Sequence, residues 1–311
     1  MEVKRRTARS LVAKLSSVSE QTRSEALAEL RLITKHDADC RPIVAEAGGI
    51  PYLAEILYSS SSSSQENAAA TLLNLSISSR AALMSTRGLL DAISHGLSHS
   101  PSDAAVQSCA ATIYSLLIAE ESYRPIIGSK RDIIYSLVRI ITDSKSSPDS
   151  IKDALKALFG VALYPLNRAT LIDLGAIPAL MSLIVRKEPA GIVEDASAVL
   201  AQIAGCGESE EGFRKAEGVR VLADLLDEGT EANGRTRENA VAALLNLARC
   251  GGERGKEEVR EVGMRVLEGI SSVAENGSSK GRAKAFDLLK IVVEGYEMGD
   301  SRFDYSLNRS T

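Results

Sequence analysis

The chain predicts an all-α fold, a right-handed α-solenoid of about seven repeats, and three observations predict it. The first is an internal repeat: residues 66–76 (ENAAATLLNLS) return 172 residues later as 238–248 (ENAVAALLNLA). With the last apolar residue of each copy as a marker, the series runs Leu32, Leu75, Leu116, Val161, Ile203, Leu247, Ile291, at intervals of 43, 41, 45, 42, 44 and 44. The second is apolar residues recurring at three- and four-residue steps, the helical spacing. The third is a short segment closed by glycine ahead of each pair of longer apolar segments. Helices with such a period stack into a single array whose core runs from repeat to repeat.

The elements follow in order. Residues 1–9 carry Lys4, Arg5, Arg6 and Arg9 and read as the solvated start of a helix, with a nuclear address as the other reading. The repeats are expected over 10–295 as one domain. Thr22 with Glu25 makes a capping-box start for the helix that ends near Leu32. Residues 43–48 (IVAEAG) form a short helix ended by Gly48, because glycine accepts the left-handed conformation that closes a helix. The second helix is 49–57 (GIPYLAEIL), with Pro51 in its first turn, where a missing N–H costs little. The serine run 59–64 is a surface loop, and Ser63 with Glu66 opens the third helix.

Later repeats follow this plan. The loop 143–150 (DSKSSPDS) precedes a third helix opened by Ser150 with Asp153, and Ser147-Pro148 is the leading candidate for phosphorylation. Residues 171–175 (LIDLG) and 176–184 (AIPALMSLI), with Pro178, give the short and second helices of the next repeat. Residues 213–218 (FRKAEG), ended by Gly218, and 219–226 (VRVLADLL) give those of the one after, followed by a polar loop at 228–235. Residues 251–257 (GGERGKE) read as a loop between repeats. A phosphate loop needs glycine where Cys250 stands, a hydroxyl residue where Glu257 stands, and a preceding strand. The stretch 296–311 has no helical period and is expected to be disordered. Short helix, glycine turn, helix, longer helix is the armadillo plan rather than the two-helix HEAT plan.

Composition narrows the function. Apolar residues make up 44% of the 311, aromatics only 4%, and Trp is absent, so Leu, Ile, Val and Ala must build the core. A net charge of −4 gives no general electrostatic case for nucleic acid or an anionic membrane. No run of 18 or more apolar residues marks membrane insertion, and no secretory signal opens the chain. Cys40, Cys109, Cys206 and Cys250 form no CxxC pair and read as reduced thiols of a cytoplasmic or nuclear protein. His95, His99 and Asp91 share a helix face, but without a further convergent ligand they read as solvated. No arrangement of nucleophile, base and orienting acid is suggested. The expectation is therefore no catalysis by the chain alone, no cofactor, no metal and no small-molecule substrate.

Several phrases carry a family resemblance: residues 10–17 (SLVAKLSS), 29–35 (ELRLITK), 45–51 (AEAGGIP), 66–76, 129–131 (SKR) and 157–168 (ALFGVALYPLNR). They resemble the armadillo region of plant U-box ubiquitin ligases, across roughly 10–295. The resemblance implies a repeat domain that recruits a substrate or a receptor kinase, beside a U-box that recruits the charged E2 enzyme. The first repeat begins within ten residues of Met1 and leaves no room for a U-box. The chain thus resembles an armadillo-only relative or the repeat portion of a ligase.

By the same resemblance the third helices line a concave groove. Residues seven apart on a helix share a face, which pairs Asn67 with Asn74, Ser108 with Ser115, Asp153 with Gly160, Asp195 with Gln202, and Asn239 with Asn246. An Asn amide both donates and accepts and suits the backbone of an extended partner. The other reading is that Asn74 and Asn246 satisfy neighbouring helix ends. Asp153 and Asp195 tilt the groove acidic, and the absence of Trp departs from the Trp and Asn rows of nuclear-import adaptors. The expected function is a protein–protein scaffold in ubiquitin signalling. The alternatives are the substrate-recognition part of a U-box ligase and a transport or cytoskeletal adaptor.

Overall fold

The computed structural model describes residues 2–227 and 229–307, with side chains as far as residue 293. Every regular element among them is a helix, and the chain divides into two compact units, 1–167 and 168–311. The division falls inside the span expected as one domain.

The first unit holds four repeats. The opening one has two helices, α1 (Glu2–Lys14) and α2 (Glu20–His36). Three complete repeats follow: α3 (Cys40–Glu46), α4 (Gly49–Ile56) and α5 (Ser62–Ser76); α6 (Arg80–Ser85), α7 (Leu89–His99) and α8 (Asp103–Ala119); α9 (Tyr123–Gly128), α10 (Arg131–Thr142) and α11 (Pro148–Ala162). A 3₁₀ turn, Pro165–Asn167, closes the unit. The second unit holds three: α12 (Arg168–Asp173), α13 (Ala176–Val185) and α14 (Ala190–Ile203); α15 (Glu210–Lys215), α16 (Gly218–Asp224) and α17 (Gly234–Cys250); α18 (Gly252–Arg265), α19 (Leu267–Asn276) and α20 (Ser279–Leu307). Third helices pack on third helices, α2 on α5 on α8 on α11 in one unit and α14 on α17 on α20 in the other. Second helices α4, α7 and α10 form a parallel row in the first unit.

The packed face of each third helix repeats one pattern. In α5 it is Ala68, Ala69, Thr71, Leu72, Leu75 and Ser76; in α8 it is Cys109, Ala110, Thr112, Ile113, Leu116 and Leu117. Leu72, Leu75, Leu244 and Leu247 are all at most 7% exposed, as their place in the repeat predicts. Leu32 departs from it at 56% exposure. Its helix buries Ala26, Leu27, Leu30 and Thr34, which match Ala68, Ala69, Leu72 and Ser76 at a spacing of 42, so Ile33 and not Leu32 is the marker. Leu32 then stands where Asn74 stands one repeat later, a position that faces the preceding third helix, and α2 has none before it.

Helix starts also shift. The caps are Ser19, Ser61 and Ser147, which accept from the amides of Thr22, Ser64 and Ser150, not Thr22, Ser63 and Ser150 themselves. In the first two loops another serine sits two residues earlier. The Ser17 and Ser59 hydroxyls accept from the Ser19 and Ser61 amides at 3.2 and 3.1 Å. This turn arrests the loop early, so the helices begin three and two residues sooner, and Ser62 to Ser64 are already helical.

Glycine turns appear at Gly48, Gly88 and Gly175, each at φ 80°. The equivalent turn in the sixth repeat uses Glu217 at φ 50°, one residue before the glycine expected there. Gly218 serves packing instead: a Cβ on it would lie 2.6 Å from the Phe213 ring and 2.9 Å from Met181. Residues 251–257, expected as a loop, enter the helix α18. Gly252 turns the chain at φ 59°, and Glu253–Lys256 and Arg254–Glu258 pairs line the first turns.

At the N-terminal end, residues 2–9 lie within α1. Ala8 is fully buried, and Lys4 bridges Asp37 and Asp39 at 2.7 and 2.9 Å. The tail expected to be disordered from 296 is helical to Leu307, since each residue added to a nucleated helix gains a hydrogen bond. Residues 308–311 lie outside the described ones, as does Glu228 in the polar loop.

Candidate functional site: the third-helix face

The residues nominated from sequence do lie on one side of the third helices, and all are half-buried. Most of their polar atoms, however, reach a neighbouring repeat. The Asn74 amide donates to the Arg31 carbonyl at 3.3 Å and to the Thr34 hydroxyl at 3.1 Å. Asn246 donates to the Ala201 carbonyl at 2.9 Å. In the repeat register Arg31 and Ala201 are the same position, so the two asparagines make one bond twice. Ser115 donates to the Ser76 carbonyl at 3.2 Å. In α11 the equivalent residue is Gly160, whose absent side chain lets α11 close on α8; a Cβ there would sit 2.9 Å from that of Leu117.

The other nominated row is similarly engaged. Asn239 donates to the Glu194 carbonyl and the Ser197 hydroxyl at 3.2 and 3.1 Å. Asn67 accepts from Arg31 at 3.0 Å, and Arg31 also pairs with Glu66 at 3.1 Å. Asp153 accepts from Gln107 at 3.1 Å and from Lys156 at 3.3 Å, so its charge does not stand alone in the first unit. The Gln202 side chain accepts from Arg168 at 3.5 Å. The Ser108 carbonyl accepts from Thr112, and Asp195 is engaged as well. Beside them, Glu194 accepts from Asn233 and Arg235, and Glu238 holds the Ser278 amide and hydroxyl at 2.7 and 2.6 Å, ahead of α20. Asn67, Asn74, Ser115, Asp153, Asn239 and Asn246 are therefore inter-repeat links, whereas the Gln202 bond stays within its own repeat and the Ser108 bond within α8.

What the sequence argument missed lies between those links. Leu73, Tyr114 and Phe159 precede the buried markers by two residues, and Ile77, Ile118 and Leu163 follow them by two. All six are half-buried or exposed. The signal was the same marker series read two residues to either side.

Other candidates resolve differently. His95 and His99 stack at 4.6 Å, and Tyr58 of the preceding repeat lies 4.6 Å from His95. Burial, and then the neighbouring imidazole, lower the His95 pKa. Asp91 pairs with Lys130 at 2.7 Å and does not converge on the rings. Among the described residues no group of three or more His, Cys, Asp or Glu is placed to hold a metal.

Comparison with known proteins places this geometry. A family model described as "Plant U-box protein ARM repeat region" matches residues 8–307. U-box domain-containing protein 19 of Arabidopsis thaliana is 28% identical over 94% of this chain and 43% of its own length. U-box domain-containing protein 1 of Medicago truncatula is 33% identical over 92% of this chain and 40% of its own. The chain thus spans about two fifths of these relatives. Among solved structures, one concerning a phosphorylation switch in the interaction between cadherin and beta-catenin superposes with a TM-score of 0.76 at 20% identity, covering 92% of this chain and 52% of that one. A designed armadillo repeat protein in complex with the peptide (KR)4 gives 0.51 at 20% identity, over 91% and 98%. These likenesses establish the fold.

Proposed function

The chain belongs to the plant U-box protein ARM repeat family, and on that premise we propose that it is a scaffold holding a protein partner along its third-helix face, within ubiquitin signalling. The observation that carries this reading is the face itself. In the first unit it stays accessible along α5, α8 and α11, and the side chains that could obstruct it are tied down between repeats. Ala70 and Ala111 form its floor, half-exposed and too small to fill it.

The partner is a ligase substrate or a receptor kinase. A second reading, that the repeats are the substrate-recognition part of a U-box ligase, is favoured by the two-fifths coverage of the relatives. On either reading the chain itself transfers no ubiquitin. Mixed with ubiquitin, E1 and a panel of E2 enzymes it should build no chains; robust transfer would expose an E2-binding element in these repeats.

Affinity capture followed by mass spectrometry tests the face. Ala70→Arg with Ala111→Arg fills the floor with a helix-compatible residue, while Tyr52→Arg with Tyr135→Arg alters the second helices. The first variant should lose partners that the second keeps. The opposite pattern, with both variants folded, would move the site to the second-helix side.

A further inference from the structure

Two apolar rows on the first unit's third helices take no part in the inter-repeat links. Residues 73 and 77, 114 and 118, and 159 and 163 stand one turn apart on their helices. The packing of α5 on α8 and of α8 on α11 sets the three pairs side by side. Ile77 and Ile118 are 47% and 48% exposed. In the second unit α14 and α17 lack the strip: the counterparts of Leu73 there, Ala201 and Leu245, are 6% and 1% exposed, and those of Ile77 are Gly205 and Arg249; α20 repeats the pair, with Leu289 half-buried and Val293 44% exposed.

Charge frames the strip at both ends. On α2 the same two rows are occupied by Arg31 and Lys35. On α11, Lys156 and Lys152 stand one and two turns before Phe159. Glu66 and Asp153 neutralise Arg31 and Lys156. Lys35, in line with the apolar row on α2, and Lys152 have no ion pair among the described residues. A partly exposed apolar strip that runs into an uncompensated Lys35 favours a ligand with apolar side chains and negative charge.

We propose that this strip docks an extended protein segment carrying two or three large aliphatic or aromatic side chains among Asp and Glu residues. The proposal rests on the third-helix reading above and specifies its partner. Apolar side chains cover Leu73, Tyr114, Phe159, Ile77, Ile118 and Leu163, while the carboxylates face Lys35 and Lys152.

Fluorescence anisotropy with three labelled peptides of equal length tests it on the full chain. One alternates Phe or Leu with Glu, one carries Lys in place of Glu, and one carries Ser in place of the apolar residues. The first should bind at least about tenfold more tightly than either of the others. Tyr114→Ser with Ile118→Ser should weaken it about tenfold at an unchanged melting temperature, since both positions are partly exposed. Lys35→Glu with Lys152→Glu should do the same and flatten the salt dependence. Equal binding of the Ser peptide, indifference to the Tyr114 and Ile118 changes, or no binding by any peptide overturns the proposal. Preference for the Lys peptide, abolished by Ala70→Arg with Ala111→Arg, overturns the strip's partner while leaving the third-helix face standing. Binding that survives the Ala70 and Ala111 changes but is lost with Tyr52→Arg and Tyr135→Arg overturns both.

Discussion

Asn74 and Asn246 are 172 residues apart and make the same hydrogen bond, from a side-chain amide to a main-chain carbonyl on the third helix before. The i, i+7 spacing placed each asparagine on the same helix face as its partner seven residues before. What it could not reveal was the acceptor, because a carbonyl on another repeat leaves no trace in side-chain identity. The amide bond changes the expected outcome of substitution. Asn→Ala gains helix propensity of at most about 0.7 kcal/mol but forfeits a net bond of about 0.5–1.5 kcal/mol and leaves a carbonyl with one partner fewer. Asn74→Ala and Asn246→Ala should each destabilise by up to about 1 kcal/mol, additively, as read from denaturant midpoints. A stabilised double variant would show the amides to be idle. Cys109 makes a second residue-scale case. Full burial pushes its thiol up to about 12. Its folded pKa thus lies above the unfolded value of about 8.5, so its contribution to stability is whole below that value and is lost as pH climbs from there toward 12. A thiol reagent should modify exposed Cys250 in the native chain, and Cys109 and Cys40 only after denaturant is added.

At the scale of elements, the helices were legible and their ends were not. Periodicity in apolar residues locates a helix body, yet a cap depends on which of several serines turns its hydroxyl inward, as Ser61 and Ser147 show. The lock between α9 and α11 was likewise invisible. Buried Asn167 donates to the Arg124 and Val161 carbonyls, both at 3.0 Å. Its side chain occupies the space where Gly128 would carry a Cβ, 2.2 Å from the Asn167 carboxamide carbon. Gly128→Ala must therefore displace Asn167 and leave two carbonyls short of a donor. The cost should be about 1–3 kcal/mol or more, whereas Gly234→Ala, with nothing within 4 Å, should be near neutral. Equal melting temperatures for the two variants would contradict this account of α9.

For the whole molecule, the repeat period carried the fold, because stacked helices must present the same buried positions at every step. Leu75, Leu116, Val161 and Ile203 are all fully buried at the predicted intervals. Leu32 departs from the series because α2, the first of the third helices, lacks the preceding third helix that covers this position in later repeats. In such an array a core residue serves two interfaces. Leu244→Ala should cost about 2–5 kcal/mol, and hydrogen exchange should quicken in α14 and α20 together with α17. Acceleration confined to α17, or none, would show that the repeats of the second unit are not coupled through this position.

The asparagine clamp has a consequence for descent as well as for stability. Its acceptor is the main chain, present whatever residue occupies the position, and indeed it grips Arg31 in one repeat and Ala201 in another. Neighbouring repeats can therefore diverge freely in their side chains while the rung between them persists. A duplicated repeat brings with it a fastening that fits any neighbour, so the outward faces are free to be rewritten for new partners without the array having to relearn how to stack.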